Sequence, residues 1–285
     1  MTVGQLRRQG AARLAEAGCE SPEFDSFCLA EKAWGLDQQA LLLQSGREAS
    51  PQEEKAFFQL IEERAGRRPL QYILGTWPFM GMELAVGEGV LCPRDDTEVV
   101  VRAAAEELRG RPGALYGVDL CGGTGAVALG LCSLLHSLSM DSVEYLEAAW
   151  GFLQENLHHF GGGRVRPVRG DVLDASMPEK LLQGPLDVLI SNPPYIASEE
   201  LPGLQEEVRR EPDTALDGGP DGLVFYRAIA DFWVPWVRPG GVVALEIGEE
   251  QADPVCRLLE SAGVTGLRVY QDLGGLDRAV TGTRT

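Results

Sequence analysis

No stretch of the sequence approaches eighteen uninterrupted apolar residues, so no membrane-spanning helix is expected. The opening residues, MTVGQLRRQGAARLAEAG, lack the apolar stretch of a secretory signal and fit an ordinary first helix. Histidine is scarce, with only His136, His158 and His159, and none of the six cysteines forms a CxxC pair. That pattern argues against a zinc site and for a reducing compartment, so no metal is expected. The expected location is cytoplasmic, with an organelle matrix as the alternative.

Basic residues are also in short supply. The chain carries 25 Lys and Arg against 43 Asp and Glu, a net charge of −18. The deficit is uneven: residues 1–75 hold 9 basic and 11 acidic side chains, a net of −2, and the remainder carries −16. An acidic body of this kind repels duplex nucleic acid and favours a small-molecule or protein substrate.

What is present is enough chain for one large or two moderate domains, with 35 Gly and 17 Pro supplying many turns. Residues 1–74 read as several short helices, with apolar residues recurring around Leu6, Leu14, Phe27, Phe57 and Ile61. Ser50-Pro51-Gln52-Glu53 has the N-cap, N1 proline and capping-box pattern of a helix start. Residues 75–93 hold short apolar pieces broken by Gly81, Gly87 and Gly89, which predicts a β-hairpin linker. From residue 94 to 285 strands alternate with helices. Candidate strands are 115–120, 139–144, 165–169, 186–190 and 241–247, with a closing antiparallel pair within 267–281. The expected fold is therefore α/β, a doubly wound, mostly parallel seven-stranded sheet beside a small helical N-terminal domain.

Two motifs carry the chemistry. The first candidate core strand runs into Asp119-Leu-Cys-Gly-Gly-Thr-Gly125, whose small residues let backbone N–H groups approach a ligand. The loop lacks the lysine of a phosphate-binding loop, which argues against an NTPase. Glu144 ends the second strand, where an acid can accept from both hydroxyls of a ribose; Asp141 is its rival. Asp171, after the third strand, is placed to face an adenine edge. Each acid alone is equally readable as a solvated strand end, but together they outline a nucleoside pocket.

The second motif is Asn192-Pro193-Pro194-Tyr195, which follows the apolar run 186–190. Neither proline has an N–H, and Pro193 biases Asn192 toward an extended conformation. The turn thus offers carbonyl acceptors beside the Asn192 side-chain oxygen, and a planar –NH2 needs two acceptors. A methyl-accepting amide or amine is the natural occupant. With the dinucleotide spacing missing, S-adenosylmethionine is a better cofactor candidate than NAD.

In these motifs the chain resembles the protein-(glutamine-N5) methyltransferases that modify peptide chain release factors, over essentially its whole length. Phe79-Met-Gly81 and Gly89–Glu98 resemble that family's interdomain segment, Asp119–Gly125 its donor loop and Ser191–Ile196 its substrate loop. Glu207–Pro212, Ala215–Gly219, Asp221–Arg227, Leu245–Gly248 and Asp272–Arg278 are also similar.

The resemblance implies a helical domain that helps hold the release factor, and a glutamine from a Gly-Gly-Gln loop beside the cofactor. It implies that Cys121, Gly122, Gly123, Thr124, Gly125, Glu144, Val172 and Asn192 line the S-adenosylmethionine site. Asp119 would support the loop or reach the donor's amino group. Asn192, Pro193, Pro194 and Tyr195 would hold the glutamine amide, and S-adenosylhomocysteine would be the product.

The chain departs from the family in having Cys121 where glycine is usual and Gly122 where a small hydroxyl residue is usual. A working pocket with altered affinity is expected, and Cys121 would be strained if its backbone needs positive φ. Asp95, where proline is frequent, should be tolerated. Two rival functions share these motifs: methylation of an exocyclic amine in DNA or RNA, and a noncatalytic S-adenosylmethionine-binding module.

Overall fold

The computed structural model describes residues 1–285. Contacts divide the chain into two units, Met1–Thr76 with Gln205–Arg210, and Trp77–Leu204 with Glu211–Thr285. No helix in either is long and apolar enough to cross a membrane.

The first unit is helical: α1 (Val3–Glu16), α2 (Pro22–Trp34), α3 (Gln38–Leu43), α4 (Pro51–Ala65) and α5 (Leu70–Leu74). Helix α4 begins as its sequence predicts. Glu53 N donates to Ser50 Oγ at 3.3 Å, and Ser50 N donates to Glu53 Oε2 at 2.7 Å, satisfying two amides that the helix leaves open. Leu6, Leu14, Leu29, Phe57 and Ile61 are fully buried between the helices.

Arg64 is buried in the same unit and donates to Asp25 at 2.6 Å and to Glu207 at 2.7 Å. Burial pushes the Asp25 carboxyl up, against the pull of Arg64. Two acids around one guanidinium offset the cost of removing its charge from water. This fixes the segment Gln205–Arg210 on the helices although it lies about 140 residues away in the chain.

The second unit opens with a hairpin of β1 (Thr76–Phe79) and β2 (Met82–Ala85), then α6 (Thr97–Leu108). Alternation follows: β3 (Leu115–Leu120), α7 (Ala126–Leu134), β4 (Leu138–Glu144), α8 (Glu147–Phe160), β5 (Val165–Arg169), α9 (Met177–Leu181) and β6 (Leu186–Ser191). The chain ends with α10 (Val224–Ala228), β7 (Val237–Glu246), α11 (Ala252–Ser261), β8 (Val264–Gln271) and β9 (Asp277–Arg284).

These strands form one seven-stranded sheet in the order β5-β4-β3-β6-β7-β9-β8. Strands β3 to β7 are mutually parallel, and β9 runs antiparallel to both β7 and β8. The expected architecture is the observed one. Strand β7 starts at Val237 rather than 241, because Val237 already pairs with Leu186 and residues 238–241 bulge before Val242 pairs with Val188.

Apolar side chains cover both faces, with Val100, Val101, Leu129 and Leu153 in one cluster and Tyr226, Trp233, Val255 and Leu259 in the other. Strand order reverses between β3 and β6, where Leu120 pairs with Ser191, and open α/β sheets bind ligands at such a point.

Candidate active site

A cavity of about 480 Å³ opens at the carboxyl ends of β3, β4 and β6. Its size falls within the range of roughly 300–1,000 Å³ typical of small-molecule sites. Of the residues singled out by sequence, Cys121, Gly122, Gly123, Thr124, Glu144, Asp171, Val172, Asn192 and Pro194 line it. Asp119, Gly125, Pro193 and Tyr195 are not among the residues that line it.

The loop after β3 takes left-handed backbone at alternate residues, with φ of 62° at Cys121, 54° at Gly123 and 82° at Gly125. A non-glycine residue there pays for the approach of its Cβ to the backbone. Cys121 is therefore strained, as anticipated. Burial, with the nearby charges of Glu144 and Asp119, raises its thiol well above the ordinary range, so it stays protonated. Cys121→Gly should raise the unfolding free energy by up to about 1 kcal/mol of relieved strain. Urea unfolding followed by circular dichroism reads this directly, and a clear loss of stability would mean that sulfur packing outweighs strain.

Gly122 has a different reason to be glycine. A Cβ there would sit 2.2 Å from Ser142 Oγ, which donates to Asp119 Oδ2 at 2.9 Å. Asp119 is completely buried beneath the loop, and burial pushes its carboxyl up to about 7. Its bond to Ser142 joins β3 to β4 directly below the loop.

Glu144 faces the cavity, whereas Asp141, in the middle of β4, is taken up by Tyr116 and Arg166. Glu144 Oε2 accepts from Gly123 N at 2.7 Å and Oε1 from Leu146 N at 2.6 Å. Burial raises its carboxyl, and these amides oppose the rise. Each oxygen keeps a further lone pair for a ligand hydroxyl. Asp171 Oδ1 accepts from Leu173 N at 2.9 Å, which steadies the turn after β5.

At the end of β6, Ser191 Oγ donates to the Leu120 carbonyl at 2.6 Å and ties the two motif-bearing strands together. Asn192 Nδ2 donates to Thr97 Oγ1 at 3.2 Å, leaving Oδ1 as the free acceptor. No protein donor reaches the Pro193 carbonyl. The Tyr195 carbonyl accepts from Gln251 Nε2 at 2.8 Å, and Gln251 Oε1 accepts in turn from Gly248 N at 3.0 Å. Burial pushes the Tyr195 phenol up to about 12, so it remains neutral.

Two further residues shape the site although the sequence assigns a role to neither. Asn156, buried on α8, donates to the carbonyls of Ala85 and Thr124 at 3.0 Å and accepts from Ala85 N at 2.7 Å. It clamps the loop to the hairpin. Glu211 pairs with Arg94 and accepts from Cys92 N at 3.1 Å, joining two segments that both reach the cavity. Asn156 lies among Gln154, Glu155, His158 and His159, so its burial had no signal in the sequence.

The arrangement is a nucleoside-sized cavity with a glycine-rich loop, an acid at the end of β4 and a turn after β6 that offers two acceptors without protein partners. The chain also has close relatives among known proteins. A release factor glutamine methyltransferase of Moorella thermoacetica is 40% identical over 98% of this chain and 97% of its own length. That of Geobacter sulfurreducens is 38% identical over 94% of this chain and 92% of its own. The chain belongs to the release factor glutamine methyltransferase family.

Residues 5–75 also match the family model described as the PrmC N-terminal domain. Among solved structures, the catalytic domain of hMettl16 in complex with a MAT2A 3′UTR hairpin superposes with a TM-score of 0.56, covering 82% of each chain. At 15% identity that likeness bears on the fold alone.

Proposed function

We propose that this enzyme transfers a methyl group from S-adenosylmethionine to the N5 side-chain amide of a glutamine in the Gly-Gly-Gln loop of a peptide chain release factor. The observation that carries the reading is the turn after β6, where Asn192 Oδ1 and the Pro193 carbonyl are two acceptors without protein partners. An –NH2 group offers two hydrogens to match. The near full-length similarity to release factor methyltransferases selects glutamine among amide and amine bearers.

The cavity fits the donor. The absence of a Cβ at Gly122 lets the loop descend onto Ser142, and Glu144 is aligned by two backbone amides to accept from ribose hydroxyls. Cys121 to Thr124 would hold the donor's amino-acid end, with Asp171 and Val172 at the base edge. The donor supplies an electrophilic methyl group on a sulfonium.

An amide nitrogen is a weak nucleophile because its lone pair is delocalised into the carbonyl. Asn192 Oδ1 and the Pro193 carbonyl take up its two hydrogens, aim the nitrogen and stabilise the positive charge that develops on N–H. Tyr195, neutral throughout the working pH range, packs beside the entering side chain. The proton leaves after transfer, so no strong base is needed before it.

The discriminating experiment supplies labelled methyl donor with release factor, with a factor lacking the loop glutamine, or with DNA or RNA. Label on the intact factor alone, located on that glutamine by mass spectrometry, is the expected result. Label on nucleic acid would overturn the reading.

A further inference from the structure

We infer that Gln251 is a positioning residue that fixes the backbone of the amide-holding turn by tying the Tyr195 carbonyl to two neighbouring loops. This rests on the proposed role of that turn in holding a substrate amide. The two acceptors of the turn serve only if both stay aimed at one nitrogen. One of them, the Pro193 carbonyl, belongs to the main chain, so its direction is set by whatever holds the backbone. The prolines restrict their own φ but leave the end of the turn to be anchored.

Gln251 lies just before α11, and its carboxamide is engaged on both sides. Nε2 donates to the Tyr195 carbonyl at 2.8 Å and to the Gly222 carbonyl at 3.3 Å, and Oε1 accepts from Gly248 N at 3.0 Å. All three partners are main-chain groups of fixed polarity. A peptide N–H only donates and a carbonyl only accepts, so this side chain has one orientation. It joins the turn after β6 to the loop before α10 and the loop after β7.

Glycines make room for the join. A Cβ at Gly222, where φ is 69°, would strike the Tyr195 carbonyl oxygen and meet Gln251 Nε2 at 2.5 Å. One at Gly218 would meet Tyr195 Cα at 2.8 Å. Beyond Tyr195 the chain pairs with the same segment: Ile196 N donates to the Leu216 carbonyl at 3.0 Å, and Gly218 N to the Ile196 carbonyl at 2.8 Å. Asp217 and Gly219 line the cavity, as do Asn192 and Pro194, whereas Gln251 does not. Gln251 therefore acts through the turn and not on a ligand.

Gln251→Met keeps the length of the side chain but offers no N–H, and Gln251→Leu is a second apolar variant should methionine pack poorly. Amide hydrogen exchange is measured first, without any substrate. The Ile196 and Gly218 amides should exchange roughly tenfold faster in either variant, while amides of the central strand β4 keep their wild-type rates. With the release factor, either variant should lower kcat roughly tenfold, with donor affinity by calorimetry within about twofold of wild type.

Unchanged exchange at Ile196 and Gly218 would overturn the inference. So would equal acceleration in β4, which would mean a general loss of stability, or a loss that falls on donor affinity rather than kcat. Because exchange needs no substrate, it tests the tie separately from the methyl acceptor. Faster exchange at the turn in a protein whose wild type leaves the release factor unlabelled would strike the proposed function and not the tie.

Discussion

Asn192→Ala will lower kcat by roughly a hundredfold or more while S-adenosylmethionine and the release factor bind with near-normal affinity. The removed oxygen is the acceptor left free by the contact of Asn192 with Thr97, and the loss of one preorganised acceptor costs about 3 kcal/mol of transition-state stabilisation. The effect concentrates in kcat because charge on the amide nitrogen develops only as the methyl arrives. Single-turnover rates, with donor affinity measured separately by calorimetry, separate the two. Turnover within a fewfold of wild type, with both substrates bound, would remove Asn192 from the mechanism.

Gly122→Ala should damage the other half of the site. Its new methyl group would meet Ser142 Oγ at 2.2 Å, and that oxygen is held by its bond to Asp119. The loop must lift or the Ser142–Asp119 bond must break. An overpacked interior of this kind costs about 2 kcal/mol, so donor affinity should fall roughly thirtyfold.

Adding Ser142→Ala should recover most of that loss, because the next contact of the new Cβ is Ser142 Cβ at 3.5 Å, an ordinary separation. Calorimetric titration with donor across wild type, both single variants and the double variant measures the coupling. Strict additivity would show that the two residues do not compete for the same space.

Much of this was legible in the sequence because it is local. The capping box at Ser50, the alternation of strands and helices, and the turn at Asn192 each depend on residues a few positions apart. The strand ends that meet at the cavity follow from the doubly wound topology, so Cys121, Glu144 and Asn192 converge as expected. The sequence left Glu144 and Asp141 in competition without the family resemblance, because both lie on the same strand. The structure separates them through Arg166 and Tyr116, which occupy Asp141.

What stayed hidden was the pairing of side chains distant in sequence. Thr97 and Asn192 are 95 positions apart, and Asn156 reaches Ala85 across 71. No periodicity encodes such contacts; they depend on how α6 and α8 settle on the sheet. The same holds for Gly122, whose reason lies in Ser142 rather than in its own backbone angle.

The protonated thiol of Cys121 has one last consequence. A cavity built for an electrophilic methyl is a hazardous place for sulfur, because a thiolate would capture that methyl and leave a thioether across the donor's seat. Nucleophilicity at sulfur belongs to the thiolate, not the thiol. On the proposed reading of the cavity, the burial and neighbouring acids that raise this thiol would keep it from capturing the donor's methyl.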